Sequence, residues 1–248
     1  MKKLQKIGAV ALAILLWQIL AMAIGEPIFL ASPLAVAARF FALFAEGTFW
    51  AALGFSFLRI ACGFFAGVAL GILLGSLAGR YGVVETLLYP YTVTVRSVPV
   101  ASFAVLGILW FSHENVSAFI SFLIVLPIVY NAVLEGVRGL DPQMKEMASV
   151  FGFSPLARLR LIWLPGLRPF LLSSVRVGIG LAWKSGIAAE LIGVPRSSLG
   201  EMLYNAKIYF NTAELFAVTA VIILCTVLCE KAVFALMRRV LGERRQNG

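Results

Sequence analysis

The chain has 248 residues, of which 61% are hydrophobic and only 13% charged, with a mean hydropathy of +0.95. Soluble domains carry roughly a quarter charged residues, so one soluble core cannot hide this much apolar surface, and the class that remains is an all-helical integral membrane protein. The formal net charge of +9 would point to nucleic acid in a soluble protein; here it reads as Lys and Arg gathered on inner-side loops, and no nucleic-acid partner is expected.

The first element is the apolar run from Ile7 to Ile24, preceded by Lys2, Lys3 and Lys6. Ala21-Met22-Ala23 resembles a signal-peptidase site, but the run exceeds the roughly 7–15 residues of a signal core, so it is read as a retained first span. Ser32-Pro33 pairs a capping residue with a first-turn proline and predicts a helix over 34–45, on or near the membrane surface. Further spans are expected at about 54–79, 88–111, 115–135, 169–190 and 213–237, each near the ~20 residues a crossing helix needs. All are expected to be helices, because an open strand leaves its backbone unsatisfied in lipid. With the N-terminus inside, the inner segments hold Lys2, Lys3, Lys6, Arg80, Arg138, Lys145, Arg158, Arg160, Arg168, Arg238, Arg239, Arg244 and Arg245. The outer segments hold Arg39, Arg196 and Lys207. That asymmetry predicts both termini on the cytoplasmic side of the membrane. No repeat, low-complexity tract or soluble domain is visible, so residues 1–248 are read as one transmembrane domain.

Three spans carry patterns beyond hydropathy. In the second, Gly63, Gly67, Gly71, Gly75 and Gly79 recur every four residues and form a small-residue ridge for close helix packing. In the third, Pro90 and Pro99 flank Arg96 and loosen the backbone hydrogen bonding, as in helices that line solute paths. In the fifth, Ser174, Gly178, Ala182, Gly186 and Glu190 form one stripe. Arg176, Gly180, Lys184 and Ala188 form another on nearly the opposite side. That predicts a helix enclosed by others with one face near water. Charge inside a membrane is costly and marks function by default, so Arg96, Arg176, Lys184 and Glu190 are candidate pathway or gate residues. Arg96 and Lys184 together would suit an anionic solute.

Other chemistries find little support. Cys62, Cys225 and Cys229 lie in apolar stretches without metal spacing, and His113 is the single histidine. No catalytic residues, metal or cofactor are therefore expected. The one Lys-Ser pair, Lys184-Ser185, follows Trp183 and lacks the Gly-x4-Gly frame of a phosphate-binding loop. Any ATP drive must come from a partner, and the chain itself is not expected to be an enzyme.

The longest inner loop, about 136–168, builds structure of its own. Asp141-Pro142 starts a short helix, Gly152 stops it in a left-handed turn, Ser154-Pro155 starts a second, and Pro165 is expected to end it. Two basic residues on a Leu/Ile/Trp-rich second helix argue against a DNA-reading motif. A lipid-surface helix is an alternative to protein docking.

The spacing Glu146-x-Ala148-x3-Gly152-x9-Ile162-x-Leu164-Pro165 resembles the EAA motif of ABC-transporter permeases, with Met147 where that family prefers Ala. "SFLRIACGFFAGVALGILLG", "RSVPVASFAVLGILWF" and "AWKSGIAAELIG" resemble the nitrate/sulfonate/taurine branch. The resemblance implies a six-span type I importer permease fold and a pair of permeases, expected to be a homodimer. It also implies ATPase subunits docked through Glu146, Met147, Ala148, Gly152, Ile162, Leu164 and Pro165, and an external solute-binding protein. Permeases for pyrimidine-type vitamin precursors look alike, and a secondary transporter or channel is the rival from another class.

Overall fold

The computed structural model describes residues 2–240, all of the regular structure there being helical. Arg244 and Arg245, counted above with the inner side, lie outside the described residues. Helix α1 (Lys2–Ile24) leads to α2 (Pro33–Leu43), α3 (Gly47–Arg80), α4 (Gly82–Ser97) and α5 (Val100–Trp110). A short turn at His113–Asn115 opens α6 (Val116–Arg138). Then come α7 (Pro142–Val150), α8 (Pro155–Arg158), α9 (Leu164–Gly193), α10 (Leu199–Ile208) and α11 (Thr212–Val240). The local start signals act as expected. Ser32 Oγ accepts from Ala35 N at 3.2 Å, and Pro33 takes the first helical position.

The glycine ridge fixes the main packing. A Cβ at Gly67 would stand 3.0 Å from Val125 Cβ, at Gly71 2.8 Å from Val129 Cβ, at Gly75 2.8 Å from Val133 Cβ and at Gly79 2.8 Å from Val137 Cβ. The ridge therefore serves packing within the chain, against α6. Each partner number exceeds its glycine by the same amount, so α3 and α6 run side by side in one direction. In lipid, where apolar side chains gain little by leaving solvent, such close backbone approach is what holds helices together. Helix α9 runs the opposite way along α6. Gly136 lies against Leu167, Gly186 against Ser121 and Gly193 against Val116, while Ser121 Oγ donates to Ala182 O at 3.2 Å. Trp183, Phe64, Phe49 and Ile60 fill the centre between α3, α6, α9 and α11.

At one end of the bundle α2 is clasped to α11. Arg39 binds Glu214 of α11 and, at 2.5 Å, Glu46. Hydrogen bonds to Glu214 first, then to Glu46, hold its guanidinium above its ordinary pKa. Helix α1 is nearly uncovered, tethered by Trp17 Nε1 donating to Ala31 O at 3.1 Å and by Trp17 on Phe216, ring centroids 5.4 Å apart.

Several expectations need correction. The span expected at 88–111 is a broken pair, α4 and α5, bent by 111°. Pro99 has no N–H for the Val95 carbonyl, and its ring drives Val98 out of helical geometry, to φ −86° and ψ 134°. Among the described residues four helices are long and apolar enough to cross a membrane, and the bent pair makes a fifth crossing if counted as one. Helix α9, with 30 residues or about 45 Å, is long enough; its internal charges keep it outside that apolar set. Pro165 does not end a helix. Residues Leu159–Trp163 form a π turn, with Leu164 N bonded to Leu159 O, and α9 continues through Pro165 in its first turn. Finally, α10 occupies part of what reads in sequence as a plain loop.

Candidate functional site

Two regions carry the candidate residues. The first is the elbow between α4 and α5. Because the chain turns sharply at Val98-Pro99, it leaves a cavity of about 650 Å³ between the elbow, α6 and α9. Arg96, Ser97 and Pro99 line it from the elbow, Pro127 from α6, and Leu181 and Lys184 from α9. Arg96 and Lys184, far apart in sequence, thus face one space. Among the described residues neither forms an ion pair with an acid. The rest of the lining is mostly apolar, and such walls strengthen the field of two cations.

The two stripes of α9 separate as their spacing requires. Ser174, Gly178, Ala182, Gly186 and Glu190 are buried, while Arg176, Lys184 and Ala188 are exposed. The other two candidate pathway residues lie elsewhere. Arg176 is turned toward α11, where its Nε donates to Glu230 Oε1 at 2.7 Å beside the Phe234 ring. Glu190 is fully buried and accepts from Ser56 Oγ at 2.6 Å; it does not line the cavity. Donors from α3 and α10 reach its Oε2, while Oε1, also buried, has no hydrogen-bond partner among the described residues. Sequence reasoning missed Pro127 in the cavity lining and Ser56 as the hydrogen-bond partner of Glu190, since both lie far along the chain from the residues they join.

The second region is the α7–α8 loop, at the end of the bundle reached by Arg80 and Arg138. Asp141 Oδ1 accepts from Gln143 N at 2.9 Å and starts α7. At its other end Phe153 N donates to Ala148 O at 3.0 Å and Gly152 N to Ser149 O at 3.2 Å. Gly152 has φ +63°. This is the paired closing motif in which a left-handed residue turns the chain away. A Cβ at Gly152 would touch nothing within 4 Å, so backbone conformation and not space requires the glycine. Ser154 Oγ accepts from Ala157 N at 3.2 Å and restarts the chain.

The loop is anchored from below. Gly166 sits so close to Leu140 that a side chain there would overlap it, and Ile162 is buried. Leu164 and Pro165 are exposed at the base of α9. Among the described residues no other helix packs extensively along α7. Ala148 is buried, whereas Glu146, Met144, Met147, Val150 and Phe151 are exposed, Val150 at 83% and Phe151 at 72%. Helix α7 is thus a short, well-capped helix that holds apolar side chains away from its own bundle.

Residues 67–245 match the family described as binding-protein-dependent transport system inner membrane component. A permease named for aliphatic sulfonates transport, SsuC of Bacillus subtilis (strain 168), is 31% identical over 94% of this chain and 85% of its own. The taurine transport system permease TauC of Escherichia coli (strain K12) is 30% identical over 94% and 87%. A formylaminopyrimidine transport permease, ThiX of Halalkalibacterium halodurans, is 26% identical over 94% and 92%. Among solved structures, a chain of a bacterial ABC transporter involved in alginate import superposes with a TM-score of 0.63 over 100% of both chains at 15% identity, a likeness of fold. The bent, glycine-ridged bundle with its exposed α7 loop thus belongs to the inner-membrane permease components of binding-protein-dependent ABC transport systems.

Proposed function

We propose that the chain is the translocating subunit of an ATP-driven importer for a small anionic solute of the sulfonate, taurine or nitrate type. The observation that carries the anion reading is the convergence of Arg96 and Lys184 on one cavity. A sulfonate presents three acceptor oxygens and one negative charge, which two cations at an apolar wall would complement. The taurine and sulfonate relatives support the same class.

In this reading both termini are cytoplasmic, α7 lies inside and α10 outside. A separate ATPase subunit seats α7 in a groove, with Ala148 giving close approach and Gly152 the corner. An external binding protein delivers the solute. A second copy of the chain covers the exposed face of α9 and closes the cavity. ATP binding draws the α7 helices together and turns the cavity outward; hydrolysis returns it. The elbow residues hold the anion during that exchange and orient it between two charges, without any covalent step.

The test is uptake of labelled taurine into vesicles holding the permease, its ATPase and its binding protein. Arg96→Ala and Lys184→Ala should each lower uptake at unchanged expression. Unchanged uptake in both would remove the cavity from the path. A second reading, transport of a pyrimidine-type vitamin precursor, is favoured by the formylaminopyrimidine relative; competition by such a precursor and not by taurine would select it. Uphill accumulation by the permease alone, without nucleotide, would instead make the chain a secondary transporter.

A further inference from the structure

One buried carboxylate belongs neither to the cavity nor to the α7 loop. Glu190 Oε2 accepts from Ser56 Oγ of α3 at 2.6 Å and from Gly200 N of α10 at 3.3 Å. Ser56 Oγ in turn accepts from Leu199 N at 3.0 Å. The first two amides of α10 therefore end in one buried node, where helix-start amides find acceptor oxygens. Ser198, also buried, starts the helix by accepting from Glu201 N at 2.9 Å. The approach is so close that a Cβ at Gly200 would lie 2.5 Å from the Glu190 carbonyl carbon and 2.7 Å from Leu191 N, both backbone atoms that cannot yield.

The same end of α9 is tied a third way. His113 Nδ1 donates to Gly193 O at 2.7 Å, linking it to the turn that opens α6. At the far end of α10, Ile208, Tyr209 and Phe210 are exposed. Lys184 lies six residues before Glu190 on α9, about 9 Å along the axis.

We infer that Glu190 is a positioning residue that locks α10 to the outer ends of α3 and α9, so that a partner pressing on α10 moves the cavity wall carrying Lys184. The identity of the partner as an external binding protein rests on the function proposed above; the lock does not.

The test uses the complete transporter in nanodiscs with spin labels at Thr48 of α3 and Asn205 of α10, both exposed. Glu190→Gln keeps a carbonyl oxygen for Ser56 and Gly200 and should keep the narrow Thr48–Asn205 distance of the wild type, read in transporters carrying the label pair on one permease copy. Glu190→Ala removes the acceptor, and Gly200→Ala pushes α10 off the node while leaving the carboxylate; both should broaden or shift the distance. The second readout is ATP hydrolysis stimulated by taurine-loaded binding protein. In Glu190→Ala the stimulation should fall at least about fivefold, the lower range of coupling between sites, with basal hydrolysis retained, and Glu190→Gln should keep it. A narrow, unshifted distance in folded Glu190→Ala overturns the lock, as does a glutamine variant as loose as the alanine one. A loosened α10 with full stimulation overturns the transmission. If the wild type shows no stimulation at all, the importer reading has failed, and the label distances still decide the lock.

Discussion

Replacing Gly75 by alanine sets two known effects against each other. Alanine favours a helix interior over glycine by about 1 kcal/mol. At this position, however, the new Cβ would lie 2.7 Å from the Tyr130 carbonyl oxygen and 2.8 Å from Val133 Cβ. Ordinary contact begins at 3.4 Å, so α3 and α6 must separate locally by several tenths of an ångström. Overpacking of this kind destabilises by about 1–3 kcal/mol. Gly54 on the same helix is the control, because a Cβ there meets nothing within 4 Å. The propensity gain is common to both variants, so their difference isolates the packing term at about 1–3 kcal/mol. Thermal unfolding in one detergent would read this as several degrees, at about 2–4 °C per kcal/mol for a chain of this size. A Gly75→Ala protein melting at or above Gly54→Ala would refute the account of the ridge as a tight seam with α6.

The other expected outcomes are local. Gly152→Ala forces an L side chain into a left-handed conformation at about 1–2 kcal/mol, so the ATPase subunit should co-purify less well. Gly152→Asn should be milder, since Asn tolerates that region. Arg176→Ala breaks an exposed pair with Glu230, so stability should change by less than about 1 kcal/mol and taurine uptake should persist where Lys184→Ala loses it. Arg39→Ala frees Glu214 and Glu46, and a partly exposed charged contact of this kind is worth about 1 kcal/mol. Hydrogen exchange should then quicken in α2 before it does in α3.

Start and stop chemistry was legible wherever it is local. Ser32-Pro33, Asp141-Pro142, Ser154-Pro155 and Gly152 each act through neighbours within a few residues, and each does so in the fold. The two faces of α9 were legible because helical periodicity sorts small residues from charged ones. Pro99 was visible as a disturbance, but whether a proline kinks a helix or breaks it depends on what fills the turn. Pro90 and Pro127 stay inside their helices, while Pro99 ends one. Helix α10 was missed because it is short and half polar; its signal was Ser198-x-x-Glu201. Intramembrane charge alone groups Glu190 and Arg176 with Arg96 and Lys184 as pathway or gate candidates. The partners of Glu190 and Arg176, Ser56 and Glu230, lie 134 and 54 residues away, and no spacing rule reaches that far.

The constant offset between α3 and α6 has a consequence for how this stretch can change over time. Letters may be exchanged along either helix so long as the small ones stay small. The count of letters is another matter. One residue inserted after Gly67 would swing Gly71, Gly75 and Gly79 about 100° around the axis and bring larger side chains onto the seam. Drift in length is thus confined to loops and free ends, and the stretch from Gly67 to Gly79 behaves as a ruler whose marks cannot be respaced.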